Sequence, residues 1–257
     1  MRQYNFISGL PRAGTTLLSS ILGQNPAMHT DITSPLNIMV NQIIGIDQSG
    51  TNELFTPART RTLVRSAFDA AYVDVDRPIV WDTNRVWTGK MELLADVNPD
   101  FKMICCVRTI TDILNSFELL YRRNIYQSAS NVYGYDTNNI YARCDNLMRW
   151  DGVVGTALVN LKSALHSEFA NHLFILEYDD FVADPKQGIK DIYEWMGMKP
   201  FKHRFTGLTN VDTSDCGHRV GLPGLHDVHA KIENIEHTML LPNDLRSQYF
   251  GSEYWRT

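Results

Sequence analysis

Residues 8–22, SGLPRAGTTLLSSIL, constrain this chain more than any other stretch. They follow a short apolar run, YNFI, and their last eight residues contain no helix breaker. That order reads as strand, tight turn and helix. Gly9 and Gly14 let the backbone turn closely, and the free N–H groups of the next helix then point at whatever anion lies in the turn. The glycine spacing is that of the ATP-binding pattern G-x-x-x-x-G-K-[ST]. Thr15, however, stands where the lysine belongs, and the cation sits within the turn as Arg12. Pro11, Arg12, Ala13, Gly14, Thr15 and Thr16 are therefore a candidate anion-binding loop. The bland alternative is a strand-to-helix turn that binds nothing.

Four apolar runs read as core strands: YNFIS at 4–8, PIVWD at 78–82, FKMICCV at 101–107 and HLFILEY at 172–178. Helical patterns separate them. One covers 33–46, and another begins at Thr56 with Pro57 in its first turn. A mixed helical stretch covers 86–97. In 111–123, Ile113, Leu114, Phe117, Leu120 and Tyr121 share one face. A long helix is expected from about Asn139 to Glu168, with Leu147, Trp150 and Val154 on its apolar side. A last helix, 184–197, has an Asp-Pro start and a Gly stop. Strands alternating with helices predict an α/β three-layer sandwich around a central, mostly parallel sheet, with ligands at the strands' carboxyl ends. No linker rich in Gly, Ser or Pro divides the chain, so residues 1–257 are expected to form a single domain. Periodicity fades from Asp212 to Leu241, which reads as a long functional loop.

The 44% hydrophobic content is enough for a core of this size, and the net charge of −5 argues against non-specific nucleic-acid binding. No apolar run is long enough to span a bilayer. The opening MRQYNF lacks the apolar core of a secretion signal, so a cytoplasmic location is expected. Cys105, Cys106, Cys144 and Cys216 have no zinc-like spacing and read as small reduced thiols.

Two further stretches carry anion-binding signals. Arg108 leaves a buried strand at its carboxyl end, where a guanidinium is well placed to pair with phosphate oxygens, and Ser116 follows eight residues later. RVGLPG at 219–224 adds Arg219 with Gly221 and Gly224. Alone, Arg108 reads equally well as a surface arginine on a loop, and RVGLPG reads better as a solvated turn before a helix. Three separated sites together suggest a ligand with phosphates at both ends.

In this order the motifs resemble those of the sulfotransferases that use 3′-phosphoadenosine 5′-phosphosulfate (PAPS). The family's P-[KR]-[SA]-G-T-T is matched by Pro11 to Thr16, and its arginine with a serine eight residues on by Arg108 and Ser116. Its Y-E-D-[LF]…D-P segment looks like Tyr178 to Pro185, and its late R-x-G-x-x-G loop like Arg219, Gly221 and Gly224. GLPRAGTTLL and GLPG…AKIE are most similar to tyrosylprotein sulfotransferases and their single-domain bacterial relatives. The resemblance implies a fold like that of the P-loop nucleotide hydrolases. It implies PAPS as donor, 3′,5′-ADP as product and no metal requirement. It assigns the donor to the loop 11–16, Arg108, Ser116, Tyr178, Arg219 and Gly221.

The chain departs from the tyrosylprotein pattern at two places. The catalytic glutamate expected 21 residues after the loop arginine is Thr33, and the lysine after the second strand is Thr83, with Arg85 two residues on. The expected catalytic set is therefore Arg12, with Arg85 assisting, and a base ranked Asp31, then His29, then Asp82. His226, beside the late glycines, reads as an acceptor-pocket residue, and Trp81, Trp87 and Trp150 as core or pocket wall. The expected acceptor is an unidentified hydroxyl or amine, on a small molecule, sugar or peptide, and nothing in the sequence identifies an oligomer. Two other classes share parts of the pattern: a nucleotide kinase, and a non-catalytic relative that binds PAPS or 3′,5′-ADP.

Overall fold

The computed structural model describes residues 2–48, 56–126, 130–134, 137–209, 222–227, 231–232 and 238–256. Arg219 and Gly221, with His229, His237 and Cys216, lie outside the described residues.

In chain order the elements begin β1 (Gln3–Gly9), α1 (Thr15–Leu22), β2 (Met28–Thr30), α2 (Leu36–Gln48), α3 (Pro57–Ala71) and β3 (Ile79–Thr83). A 3₁₀ turn, Trp87–Lys90, leads into α4 (Met91–Val97), β4 (Met103–Val107), α5 (Ile110–Arg123), α6 (Ser130–Tyr133), α7 (Ile140–Met148) and α8 (Val153–Leu165). The remainder is β5 (Leu173–Glu177), α9 (Tyr178–Ala183), α10 (Pro185–Met196) and α11 (Asn243–Tyr249). Among the described residues the sheet has five strands, all parallel, in the order β2-β3-β1-β4-β5. This is the α/β sheet with flanking helices that the alternation predicts.

Strand alternation divides the core. Tyr4 and Phe6 of β1 face Phe68 of α3 and the Trp87 ring. On the other face, Thr83 of β3 meets Ser19 of α1 (3.3 Å), and Thr30 Oγ1 donates to the Ser19 carbonyl (2.8 Å). Local capping agrees with the sequence at both proline starts. Thr56 accepts from the Arg59 N–H ahead of α3, and Asp184 from the Gln187 N–H ahead of α10, which ends at Gly197 with φ of 67°. Buried Glu118 of α5 accepts from Arg143 of α7 through both carboxylate oxygens (2.8 and 2.9 Å) and fixes α5, the helix carrying Ser116.

Two expectations need correction. The helix expected over 139–168 is two helices, α7 and α8, broken at 149–152. A side chain at Gly152 would lie 2.2 Å from the Asn146 carbonyl, so the chain turns there and the apolar register does not carry across. Trp150 falls in that break and is exposed rather than core, whereas Trp81 and Trp87 are fully buried. Strand β2 has no counterpart in the sequence reading, because its three residues at the sheet edge carry no periodicity. Among the described residues no helix is long and apolar enough to cross a membrane.

Candidate functional site

A parallel sheet brings all its carboxyl ends to one edge, and the residues singled out above follow those ends. The loop 10–14 follows β1, Asp31 follows β2, Arg85 follows β3, Arg108 follows β4, and Tyr178 follows β5. Gly9, paired with Cys106 of β4, has φ of 113°, and Leu10 N–H then donates to the Cys106 carbonyl (2.8 Å), which starts the turn. Gly14 precedes α1 at φ of 88°, and no side chain caps that helix. Its first N–H groups are therefore left for an anion.

Gly14 also lacks a side chain for a spatial reason: a Cβ there would meet the Tyr178 ring at 2.7 Å. Tyr178 thus lies against the loop, and the Arg108 guanidinium lies over the same ring, 4.4 Å from its centroid. Arg108 Nε is buried with no hydrogen-bond partner among the described residues, and Asp179 Oδ1 is 3.8 Å from it. A guanidinium with an unpaired donor above an aromatic ring has the chemistry to pair with an anion.

Arg12 is the one non-glycine residue with positive φ, 60°, among the described residues. Its Nε donates to Ser116 Oγ (3.1 Å), and its guanidinium also bonds the Leu225 carbonyl. Ser116 therefore joins Arg12 rather than standing apart with Arg108. Burial pushes the Arg12 guanidinium below its ordinary value, and the charge of Arg108 acts in the same direction. Arg85 is reached by solvent yet recessed among protein atoms, which lowers it as well. The His226 imidazole is held below its usual value, first by burial and then by the charges of Arg12 and Arg85, with Asp227 opposing. Arg12, Arg85, Arg108 and His226 thus form one electropositive neighbourhood on a chain of net charge −5.

The three residues ranked as bases are not alternatives but one network. His29 Nε2 is 3.0 Å from Asp31 Oδ1, and the Tyr72 hydroxyl lies 2.9 Å from Asp31 Oδ2 and 2.6 Å from Asp82 Oδ2. Trp87 Nε1 donates to Asp82 Oδ1 (2.6 Å). Each Asp31 oxygen has one partner, Oδ1 the His29 ring and Oδ2 the Tyr72 hydroxyl, so the sequence's first choice is tied to both. Tyr72 was missed because nothing local marks it: it caps α3 and reaches Asp31 and Asp82 only through the fold. His226 is marked in the sequence, but its nearness to the charges of Arg12 and Arg85 follows from tertiary structure alone.

A model of the sulfotransferase family matches residues 5–202. No curated protein matches the sequence. Among solved structures the fold is similar to the sulfotransferase domain from the curacin biosynthetic pathway, with TM-score 0.60 and 15% identity over 96% of this chain and 97% of that one. It is also similar to a sulfotransferase from Alicyclobacillus acidocaldarius, with TM-score 0.56 and 17% identity over 96% and 89%. Retinol dehydratase in complex with retinol and PAP aligns with TM-score 0.50 and 14% identity over 100% and 81%.

Proposed function

Because the chain belongs to the sulfotransferase family, we propose that it transfers a sulfuryl group from PAPS to a hydroxyl or amine and releases 3′,5′-ADP (PAP). The observation that carries this reading is Arg12, a cation inside the turn where an ATP-binding loop would place its lysine after the second glycine. The uncapped start of α1 and the Arg12 guanidinium would hold the 5′ end of the donor. Arg108, over the Tyr178 ring, would hold the 3′-phosphate with its orphaned Nε. Ser116, now bonded to Arg12, would exchange that partner for a phosphate oxygen. PAP in the retinol dehydratase structure supports the donor class, and the retinol there supports an acceptor of small-molecule type, with sugars and peptides as the other acceptor classes.

In the reaction the acceptor oxygen or nitrogen bonds to sulfur while the sulfur–bridging-oxygen bond breaks, and the electron pair leaves on 3′,5′-ADP. Arg12, the α1 N–H groups and Arg85 stabilise that charge. His29 takes the acceptor proton: Asp31 holds its Nε2, which leaves Nδ1 as the basic nitrogen. A second reading, His226 as base, is favoured by its position beside Arg12 and Arg85. A proton taken there would sit against two guanidinium charges, which disfavours it. The kcat–pH profiles of His29→Ala and His226→Ala decide between them, since only the base variant loses the rising limb.

Beyond the matched stretch, Leu222, Leu241, Leu245 and Tyr249 join the same core as β1 and α5, which supports one domain over 1–257. Cys105, Cys106 and Cys144 are free and buried, which supports a reducing, cytoplasmic setting.

Arg108→Ala tests the donor assignment. A charge-assisted contact to phosphate contributes about 1.5–3 kcal/mol, so calorimetric affinity for 3′,5′-ADP is expected to fall roughly 10- to 150-fold, with little change for 5′-AMP. Equal losses for both nucleotides would remove Arg108 from the 3′ end. Magnesium-dependent ATP binding tighter than 3′,5′-ADP binding would return the chain to the kinase class.

A further inference from the structure

We infer that Tyr72 and Asp82 are positioning residues that share a proton with Asp31, so that Asp82 is a neutral carboxylic acid, Asp31 a carboxylate, and His29 is fixed as its Nε2–H tautomer. The argument is a proton count. The Tyr72 oxygen makes two contacts of hydrogen-bond length, 2.6 Å to Asp82 and 2.9 Å to Asp31. A phenol carries one proton and donates to one carboxylate only. The other contact needs a second proton, and a carboxyl must supply it.

Burial decides which one. Asp82 is fully buried, whereas the Asp31 side chain is 27% exposed and has the His29 ring as partner. A charge costs more at Asp82, where desolvation is complete. The order is then Asp82 O–H to Tyr72, Tyr72 O–H to Asp31 Oδ2, and His29 Nε2–H to Asp31 Oδ1. Asp82 Oδ1 remains an acceptor for the Trp87 indole. Burial raises the Asp82 carboxyl; the hydrogen bonds that Ser34, Tyr72 and Trp87 would give its ionised form oppose this, and the Asp31 charge adds to it. The Tyr72 hydroxyl is pushed far upward, first by burial, which excludes a phenolate. The other titratable or charged groups packed against this site are few. The Tyr4 ring, 6.0 Å from that of Tyr72, carries Asp69 on its hydroxyl (2.8 Å) and Arg2 beside it (3.4 Å). No lysine or arginine touches Asp82 among the described residues.

The inference rests on the reading of His29 as base only for its use; the proton count stands without it. Its test therefore uses the resting protein, with neither donor nor acceptor. The Asp82 carboxyl carbon, followed by ¹³C NMR, is expected to show the acid form at pH 7. Asp82→Asn replaces O–H by N–H in the same place. It should leave the His29 titration unmoved and keep the fold. Tyr72→Phe removes the donor to Asp31, concentrates that carboxylate's charge on His29 and should shift the His29 titration upward. Stability gives an independent reading. An aspartate whose folded pKa is raised binds a proton that the unfolded chain has lost, so stability falls as pH rises from about 4 through the folded value. Asp82→Asn should flatten that slope. An ionised Asp82 at pH 7, or an Asp82→Asn variant that moves the His29 titration as Tyr72→Phe does, would overturn the inference. Loss of sulfuryl transfer would bear on the proposed reaction and leave this proton arrangement untouched.

Discussion

Replacing Arg12 with alanine is expected to lower kcat for sulfuryl transfer by about 10²–10³-fold, the usual loss when one preorganised donor to a developing anion is removed. The expectation follows from where Arg12 sits. Its guanidinium is the cation within the turn, below its ordinary pKa through burial, and it already bonds Ser116 and the Leu225 carbonyl. Those partners are neutral, so a sulfuryl or bridging oxygen can displace them at little electrostatic cost. The backbone is a separate matter. At φ of 60° any residue with a Cβ is strained, so alanine inherits the strain that arginine bears. Thermal stability should therefore change little in Arg12→Ala and rise slightly in Arg12→Gly, while both lose turnover. The measurement is transfer of ³⁵S from labelled PAPS to a panel of phenols, sugars, alcohols and tyrosine peptides. Turnover within a few-fold of wild type would remove Arg12 from the reacting centre.

How much of this was legible in the sequence depends on whether the signal was local. The loop was legible because Gly9, Arg12 and Gly14 must stand at fixed offsets for the turn to form at all. Arg108 was legible because a residue just after a buried strand in a parallel sheet lands on the ligand edge, whereas Tyr178 was marked only by the family resemblance. The break between α7 and α8 was not read, although Asp151 and Gly152 signal it, because the apolar spacing runs on through Trp150. The linkage among the base candidates is hidden in the sequence for a deeper reason. His29, Asp31 and Asp82 looked like competitors along the chain. Strands β2 and β3 are neighbours, with His29 beside Val80 and Thr30 beside Trp81 in the pairing, so the three carry one network. Tyr72 joins it from α3, across a sequence gap that no pattern spans. Ser116 was paired with Arg108 by spacing, yet its hydroxyl accepts from Arg12. The arginines Arg12, Arg85 and Arg108 were each read singly, and only the fold assembles them into a positive pocket on an acidic chain.

Gly9→Ala should produce the largest loss of stability of any single substitution in the site. A methyl group there would lie 2.1 Å from the Cys106 carbonyl oxygen and 2.6 Å from the Cys106 nitrogen, with Gly9 at φ of 113°. Both obstructing atoms are backbone of β4, a strand hydrogen-bonded on both sides, to β1 and to β5. No side chain can swing away, so either the β1–β4 pairing opens or the turn is rebuilt. Combined steric and backbone strain of this kind costs about 3–5 kcal/mol, and the melting temperature should fall by roughly 10 °C. Gly14→Ala makes the contrast. Its obstruction, 2.7 Å away, is the Tyr178 ring, which can shift, so the melting temperature should fall less. Both variants should lose 3′,5′-ADP binding by calorimetry, Gly9→Ala because the turn no longer forms and Gly14→Ala because the displaced ring carries Arg108 with it. Thermal melts and calorimetry on the two proteins check the pair. A Gly9→Ala protein that melts with wild type would mean that β1 and β4 do not approach as closely as the Gly9–Cys106 pairing requires, and the loop's geometry would have to be explained without it.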